Sequence, residues 1–263
     1  MKKLVTISAL LTCTILFAKF NVNAQAQEPP LAVVDYMKVT PGMDADYVAG
    51  EAVWKKAHQN RITNGDQLSW QLYRRILPSG ANAPYEYMTV TVLANPKAYE
   101  SLTWDWDKLT KGMNAQEIFT ATNIEKTRTI VSRSMFRHVL GAGTKSGKYL
   151  QIRQVSINTN SRDEYVKLLT DMNPTLELAI KNGKTLRRNI WEDMMGVGSH
   201  FAAVYDYANL TDALKNASGL PTLTEEYEKL NSGKKWKDMS EKINSLYTIA
   251  NHELWELVMD TSK

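Results

Sequence analysis

Cysteine is almost missing from this sequence. The single one among 263 residues is Cys13, inside an apolar run near the N-terminus. That scarcity excludes a disulfide framework and any cysteine-based zinc site. The chain also lacks a Gly-x-Ser-x-Gly turn, a phosphate-binding glycine loop and a dinucleotide fingerprint. The hydrolase, nucleotide-triphosphatase and Rossmann classes that depend on those backbones drop out with them. The four histidines, His58, His138, His200 and His252, show no His-x-x-x-His spacing, so no dedicated metal site is expected. The one extended apolar run, Leu4 to Ala18, is too short to cross a bilayer. It follows Lys2 and Lys3 and precedes Ala24-Gln25-Ala26, the form of an export signal cleaved after Ala26, with Ala24 as the second choice. The expectation is a periplasmic or secreted mature chain of 237 residues with no cysteine.

Charge of one sign is lacking as well. Removal of residues 1–26 takes Lys2, Lys3 and Lys19, leaving 29 basic residues against 28 acidic ones. A balance so close to neutral points away from nucleic acid and, once the signal is gone, away from an anionic membrane. A small molecule is the expected partner, and a homo-oligomer is left open.

What is present is one pattern written twice. Leu31 to Val39 is rich in β-formers, and a helix from Asp44 to Asn64 follows, ending at Asn64-Gly65. Gln67 to Leu77 and Tyr85 to Ala94 give two more strands. Helical stretches then start near Asn95-Pro96 and Trp106, and a strand closes the half over Arg128 to His138. Gly141, Gly143 and Gly147 punctuate a linker, in which Gly141-x-Gly143 is taken as a hinge. The order restarts with a strand at Tyr149 to Ile157 and a helix opened by Ser161-Arg162-Asp163-Glu164, a capping-box pattern. That helix is expected to bend at Pro174 and end at Asn182-Gly183. Strands at Lys184 to Asp193 and Ser199 to Tyr207 follow, joined around Gly196 and Gly198. Helices then run to about Ala250, and a last strand covers His252 to Met259.

Residue matches carry the repeat: Tyr47-Val48 with Tyr165-Val166, Asn64-Gly65 with Asn182-Gly183 and Leu68 with Leu186, all 118 apart. Ala94-Asn95 matches Ala208-Asn209 at 114. The segment WDKLTKG at 106–112 matches YEKLNSG at 227–233, which gives Trp106 a packing role. The expected class is α+β: two tandem ferredoxin-like βαββαβ repeats, 27–140 and 149–263, joined by a linker at 141–148. The alternating polar faces Ser69, Gln71, Tyr73, Arg75 and Arg187, Asn189, Trp191 are expected to meet, pairing the sheets as an intramolecular barrel.

The first long helix carries the functional signal. Tyr47, Glu51, Trp54, His58 and Ile62 are spaced to stack on one side, opposite Lys56. An inward face should be apolar, yet this one holds a carboxylate and an imidazole. At the 118 offset the second copy has Leu169 for Glu51, Met172 for Trp54 and Leu176 for His58, with Leu168 where the first has Gly50. Burying an unmatched carboxylate is costly, so such residues require partners, solvent or a ligand. The candidate ligand-binding set is Tyr47, Glu51, Trp54, His58 and Trp70, the last sharing a strand face with Leu68 and Leu72. His58 and Glu51 are the catalytic candidates. They lie about 10 Å apart along the helix and would address opposite ends of one molecule. The structural alternative is a hydrogen-bond network, with His58 tied to a strand and Glu51 to Lys55.

The βαββαβ order, with Glu51, Trp54, His58 and Gly65 as they stand, resembles the dimeric α/β-barrel superfamily of antibiotic-biosynthesis-type monooxygenases, haem-degrading monooxygenases, NIPSNAP-like proteins and the chlorite-dismutase group. The resemblance spans nearly the whole mature chain and implies a pocket between helices and sheet within one unit. It also makes haem a possible cofactor, although the Asn–Trp–His set of the haem-degrading members has no residue-by-residue counterpart here. Three functions follow in order: a protein that binds a small polar or aromatic ligand in its first repeat, a cofactor-free or haem-dependent oxygenase, and a structural or partner-binding module.

Overall fold

β1, Leu31–Val39, is buried at almost every position rather than at alternate ones. This is the mark of a strand covered on both faces, one turned to a barrel lumen and the other to helices. The computed structural model describes residues 28–80, 83–102, 105–195, 200–215 and 223–261. The expected export signal with Cys13, Trp104, and the hairpin glycines Gly196 and Gly198 fall outside these residues.

α1, Asp44–Thr63, has Asp44 and Asp46 in its first turn and Arg61 in its last, the distribution that suits the helix dipole. Gly65, at φ +81°, ends it in the left-handed region that glycine adopts most freely. β2 (Ser69–Leu77) and β3 (Tyr87–Leu93) follow. α2, Pro96–Glu100, is capped by Asn95, whose side chain accepts from the Ala98 N–H. α3 (Trp106–Leu109) and α4 (Ala115–Thr122) are short, and α4 is opened by a capping box between Asn114 and Glu117. A 3-10 turn over Ile124–Lys126 leads into the long β4, Arg128–Ala142.

The second half runs β5 (Tyr149–Ile157), α5 (Arg162–Asp171), α6 (Asn173–Lys181), β6 (Arg187–Asp193) and β7 (His200–Tyr207). Then come α7 (Leu210–Lys215), α8 (Thr224–Leu230), α9 (Trp236–Asn244) and β8 (Tyr247–Asp260). The break between α5 and α6 at Met172 is the bend expected of Pro174, which has no N–H to donate back into α5 and so sits in the first turn of a new helix.

All eight strands close into one antiparallel barrel in the order β1-β3-β2-β8-β5-β7-β6-β4. Within it each half keeps the same internal order, β4-β1-β3-β2 and β8-β5-β7-β6. The pairings β2–β8 and β4–β6 join the halves. Register repeats with order. Ala32 faces Val92 and Ser69 faces Val92 in the first half; Leu150 faces Asp206 and Arg187 faces Asp206 in the second. These are the offsets of 118 and 114 carried by the sequence matches. Ser69, Gln71 and Tyr73 meet Arg187, Asn189 and Trp191 across the lumen, while Arg75 turns to an ion pair with Glu253.

Several local expectations are corrected. Ser161 makes no side-chain cap, so the capping box of α5 is absent. β8 begins at Tyr247, where helix was expected. Gly141 is no hinge: it lies within β4 opposite Asn189, and a Cβ there would stand 2.3 Å from the Asn189 Oδ1. Close packing is what requires that glycine. Leu68 is 54% exposed just ahead of β2 and shares no buried face with Trp70 and Leu72.

Candidate functional site

Between α1 and the outer face of the first half's sheet lies a cavity of about 620 Å³. Strand alternation supplies its floor: Val33, Asp35 and Met37 of β1 point here, while Ala32, Val34 and Tyr36 point to the lumen. Helix periodicity supplies one wall with Glu51, Trp54, His58 and Arg61. The last position is a correction, since the stripe ends on buried Arg61 and not on half-buried Ile62. Trp70 enters from β2, Trp106 from α3 and Arg128 from β4. Four of the five residues singled out in the sequence therefore border one space. Tyr47 stands behind Glu51, fully buried, with its ring edge-on to Tyr87 at 4.9 Å.

His58 is held by two contacts. Its Nδ1 lies 3.1 Å from the Gln67 Oε1, and its ring stacks on Trp70 at 4.8 Å and 12°. The Gln67 Nε2 donates to the Ser69 carbonyl at 3.1 Å, which leaves the Oε1 as acceptor. Nδ1 of His58 must then carry the proton, and Nε2 presents a lone pair. Burial disfavours the imidazolium and pushes the His58 pKa down to about 3, overriding the opposite pull of Gln67. The imidazole is neutral at every physiological pH.

Glu51 has the opposite problem. It is 5% exposed and has no salt bridge among the described residues. The expected contact with Lys55 is not formed; Lys56, on the outer face, pairs with Glu117 instead. Burial pushes the Glu51 carboxyl up to about 7, against the weaker pull of the Tyr47 hydroxyl and the Arg128 guanidinium. The Tyr47 hydroxyl borders Glu51 without reaching full hydrogen-bond geometry. Asp35 is held differently, in a two-pronged pair with Arg133 at 2.5 and 2.9 Å.

Trp54 donates its Nε1 to the Ala121 carbonyl at 3.1 Å and meets Trp106 edge-on at 6.1 Å. Trp106, 40% exposed, thus lines the pocket mouth, which extends the packing role expected for it. Gly50 does not open the cavity: Ile124 of the 3-10 turn occupies the space, and a Cβ on Gly50 would stand 3.0 Å from its Cγ1.

Sequence reasoning missed Arg61, Gln67, Arg128 and the Asp35–Arg133 pair. Arg61 lay within reach, three residues beyond His58 on the same arc, and Gln67 follows the Gly65 stop that orients β2. Arg128 and Arg133 sit on a strand whose partner across the pocket no local pattern discloses. His138, His200 and His252 stay apart, and among the described residues no group of metal-ligating side chains assembles.

The second half differs as expected in part. Leu169, Met172 and Leu176 are buried in one core with Phe201 and Tyr205. Yet this gap is not pure hydrocarbon, because Arg188 and Arg153 are buried beside them. At the 118 offset they stand where the first half has Trp70 and Asp35.

Haem can be tested against the pocket on its donor set. His58 could hold the iron through Nε2, with Nδ1 fixed by Gln67. Arg128 is available to an acid group, its Nε being buried without a hydrogen bond, whereas Arg133 is occupied by Asp35.

No protein-family model and no curated protein matches the sequence. Solved structures do. A proposed monooxygenase from Lactobacillus acidophilus NCFM aligns over 89% of this chain and 95% of its own, with TM-score 0.54 and 10% identity. An anthrone oxidase-like protein aligns over 90% and 96%, with TM-score 0.52 and 8% identity. A proposed chlorite dismutase aligns over 88% and 95% at TM-score 0.48 and 11% identity. The first two share the α+β fold of this chain, in which eight strands close into one antiparallel barrel.

Proposed function

We propose that the pocket of the first half binds a planar, weakly acidic aromatic molecule and oxidises it with O₂, with Glu51 as the base. One observation carries this reading: a carboxyl group without an ion-pair partner among the described residues, raised to about 7, in a cavity walled by Trp54, Trp70 and Trp106. A base with its pKa near the working pH is the form that proton abstraction favours. The fold shared with the Lactobacillus monooxygenase and the anthrone oxidase-like protein is consistent with it, at the level of fold.

Glu51 takes a proton from an activated C–H of the substrate. The resulting carbanion, spread over its aromatic system, gives electrons to O₂. A methylene becomes a carbonyl: one oxygen atom enters the product, and the other leaves as water with the two hydrogens. The substrate supplies all four electrons, so no external reductant is needed. Tyr47 and Arg128 steady the charge on Glu51 between proton transfers. His58, neutral and about 10 Å further along α1, accepts a hydrogen bond at Nε2 from a hydroxyl at the far end of the ring system. The two halves read as duplicated ferredoxin-like units, of which the first carries Glu51 and His58 where the second has Leu169 and Leu176. Export to the periplasm or beyond, from the signal in residues 1–26, completes the reading.

The lone pair on the His58 Nε2 favours a second reading, in which His58 would hold a haem group. Bound there, haem would supply redox-active iron, and a Soret band on titration with haem reports it directly.

Oxygen uptake with anthrone as probe tests the first reading. Uptake above the uncatalysed rate, lowered about 10²-fold or more in Glu51→Gln, is expected. Quenching of tryptophan fluorescence by anthrone without uptake would reduce the function to binding, and uptake unchanged in Glu51→Gln would remove the carboxyl from the reaction.

A further inference from the structure

The barrel lumen encloses a separate cavity of about 260 Å³ that the proposed reaction does not use. Because side chains alternate along each strand, none of its lining residues is shared with the helix-side pocket. Val34, Phe136, Ile152, Trp191 and Val204 make most of its wall apolar. Ser69, Gln71, Gln154, Arg187 and Asn189 bring polar groups to the same wall, and Tyr73 stands among them. It is 1% exposed and lines the cavity, and its hydroxyl makes no hydrogen bond among the described residues. The hydroxyl opens on the cavity, where a molecule carrying a hydrogen-bonding group completes its hydrogen bond in place of water.

Charge narrows the ligand further. The one fully charged side chain on the wall is Arg187, and it is already matched by buried Asp206 at 2.9 and 3.2 Å. An anion would have to displace that carboxylate, so the lumen favours a neutral molecule. Apolar cavities of about 150 Å³ hold a benzene ring, which makes this one large enough for two fused rings. Exposed Ser146, in the connection between the halves, lies on the cavity wall and marks its mouth.

We propose that the lumen is a second small-molecule site, taking a neutral bicyclic aromatic with one hydrogen-bonding group that Tyr73 engages. Each half supplies part of the wall, so the site exists only in the closed barrel.

Calorimetric titration with 2-naphthol and with naphthalene tests this on the full chain, in wild type, in the double variant Glu51→Leu/His58→Leu, and in that double variant carrying Tyr73→Phe or Val204→Phe. Saturable 2-naphthol binding is expected in wild type and in the Glu51/His58 double variant. In the Glu51→Leu/His58→Leu background, which removes the polar groups of the helix-side pocket, Tyr73→Phe should weaken 2-naphthol about 5-fold and leave naphthalene unchanged, and Val204→Phe should lose both by filling the lumen. If Val204→Phe does not fold, the contrast between the two probes in Tyr73→Phe decides. The proposal is overturned by no saturable binding in the Glu51→Leu/His58→Leu protein, by binding there that survives Val204→Phe, or by a Tyr73→Phe protein in that background that still prefers 2-naphthol. Loss of oxygen uptake in Glu51→Gln with lumen binding intact, or the reverse, separates this site from the proposed reaction.

Discussion

Replacing Glu51 and His58 one at a time should tilt the pH dependence of stability in opposite directions. Glu51 is raised from 4.5 to about 7, so the folded state holds a proton that the unfolded state releases. Its contribution to stability is complete below pH 4.5 and is lost as the pH rises through 7. His58 is lowered from 6.5 to about 3. Its contribution is complete above pH 6.5 and is lost as the pH falls toward 3. Each slope is about 1.4 kcal/mol per pH unit, and the two cancel between pH 4.5 and 6.5. Relative to wild type, Glu51→Gln should gain about 3 kcal/mol between pH 4.5 and 7.5. His58→Leu should gain a similar amount in the other direction, between pH 6.5 and 4.5. Urea unfolding at four pH values measures both, and subtracting wild type removes the groups common to all three proteins. A Glu51→Gln difference that does not vary with pH would refute the reasoning, since it would mean that the carboxyl titrates alike in both states.

Gly50→Leu should lower the melting temperature, because the new Cβ meets Ile124 at 3.0 Å; overpacking of this kind costs about 1–3 kcal/mol. Asp206→Asn should cost about 3–5 kcal/mol in urea unfolding, since buried Asp206 holds Arg187 and accepts from the Gly147 N–H at 2.9 Å. The fragment 28–140 should show no cooperative melt as a monomer, because β2 and β4 would lose β8 and β6 and the lumen face would meet water.

The fold was legible where period and punctuation agree. β1 and β5 match their expected ranges residue for residue, and Gly65 stops α1 where the Asn-Gly pair indicated. The facing of Ser69, Gln71 and Tyr73 toward Arg187, Asn189 and Trp191 followed from strict alternation with polar residues on the covered side. The errors arose where a tertiary contact outweighs a local rule. Gly141 looked like a hinge because glycine is usually read for its backbone freedom, but here it clears the Asn189 side chain. Gly50 stands where the second copy has Leu168, and the room that this exchange leaves is filled by Ile124, seventy-four residues away in sequence. In the site, the helical arc showed Glu51, Trp54 and His58. Arg128 and Arg133 stayed hidden, because which strand residues reach across to a helix depends on barrel closure.

The central claim is that the polar stripe of α1 is kept for a ligand and not for the scaffold. Glu51→Leu/His58→Leu, which gives the first half the residues of the second, tests it when anthrone quenching of tryptophan fluorescence is followed through a thermal melt. The account predicts a melting temperature equal to or above that of wild type at pH 7.5 and no saturable quenching. A clear drop in melting temperature with quenching unchanged would contradict it, and would make Glu51 and His58 parts of the framework.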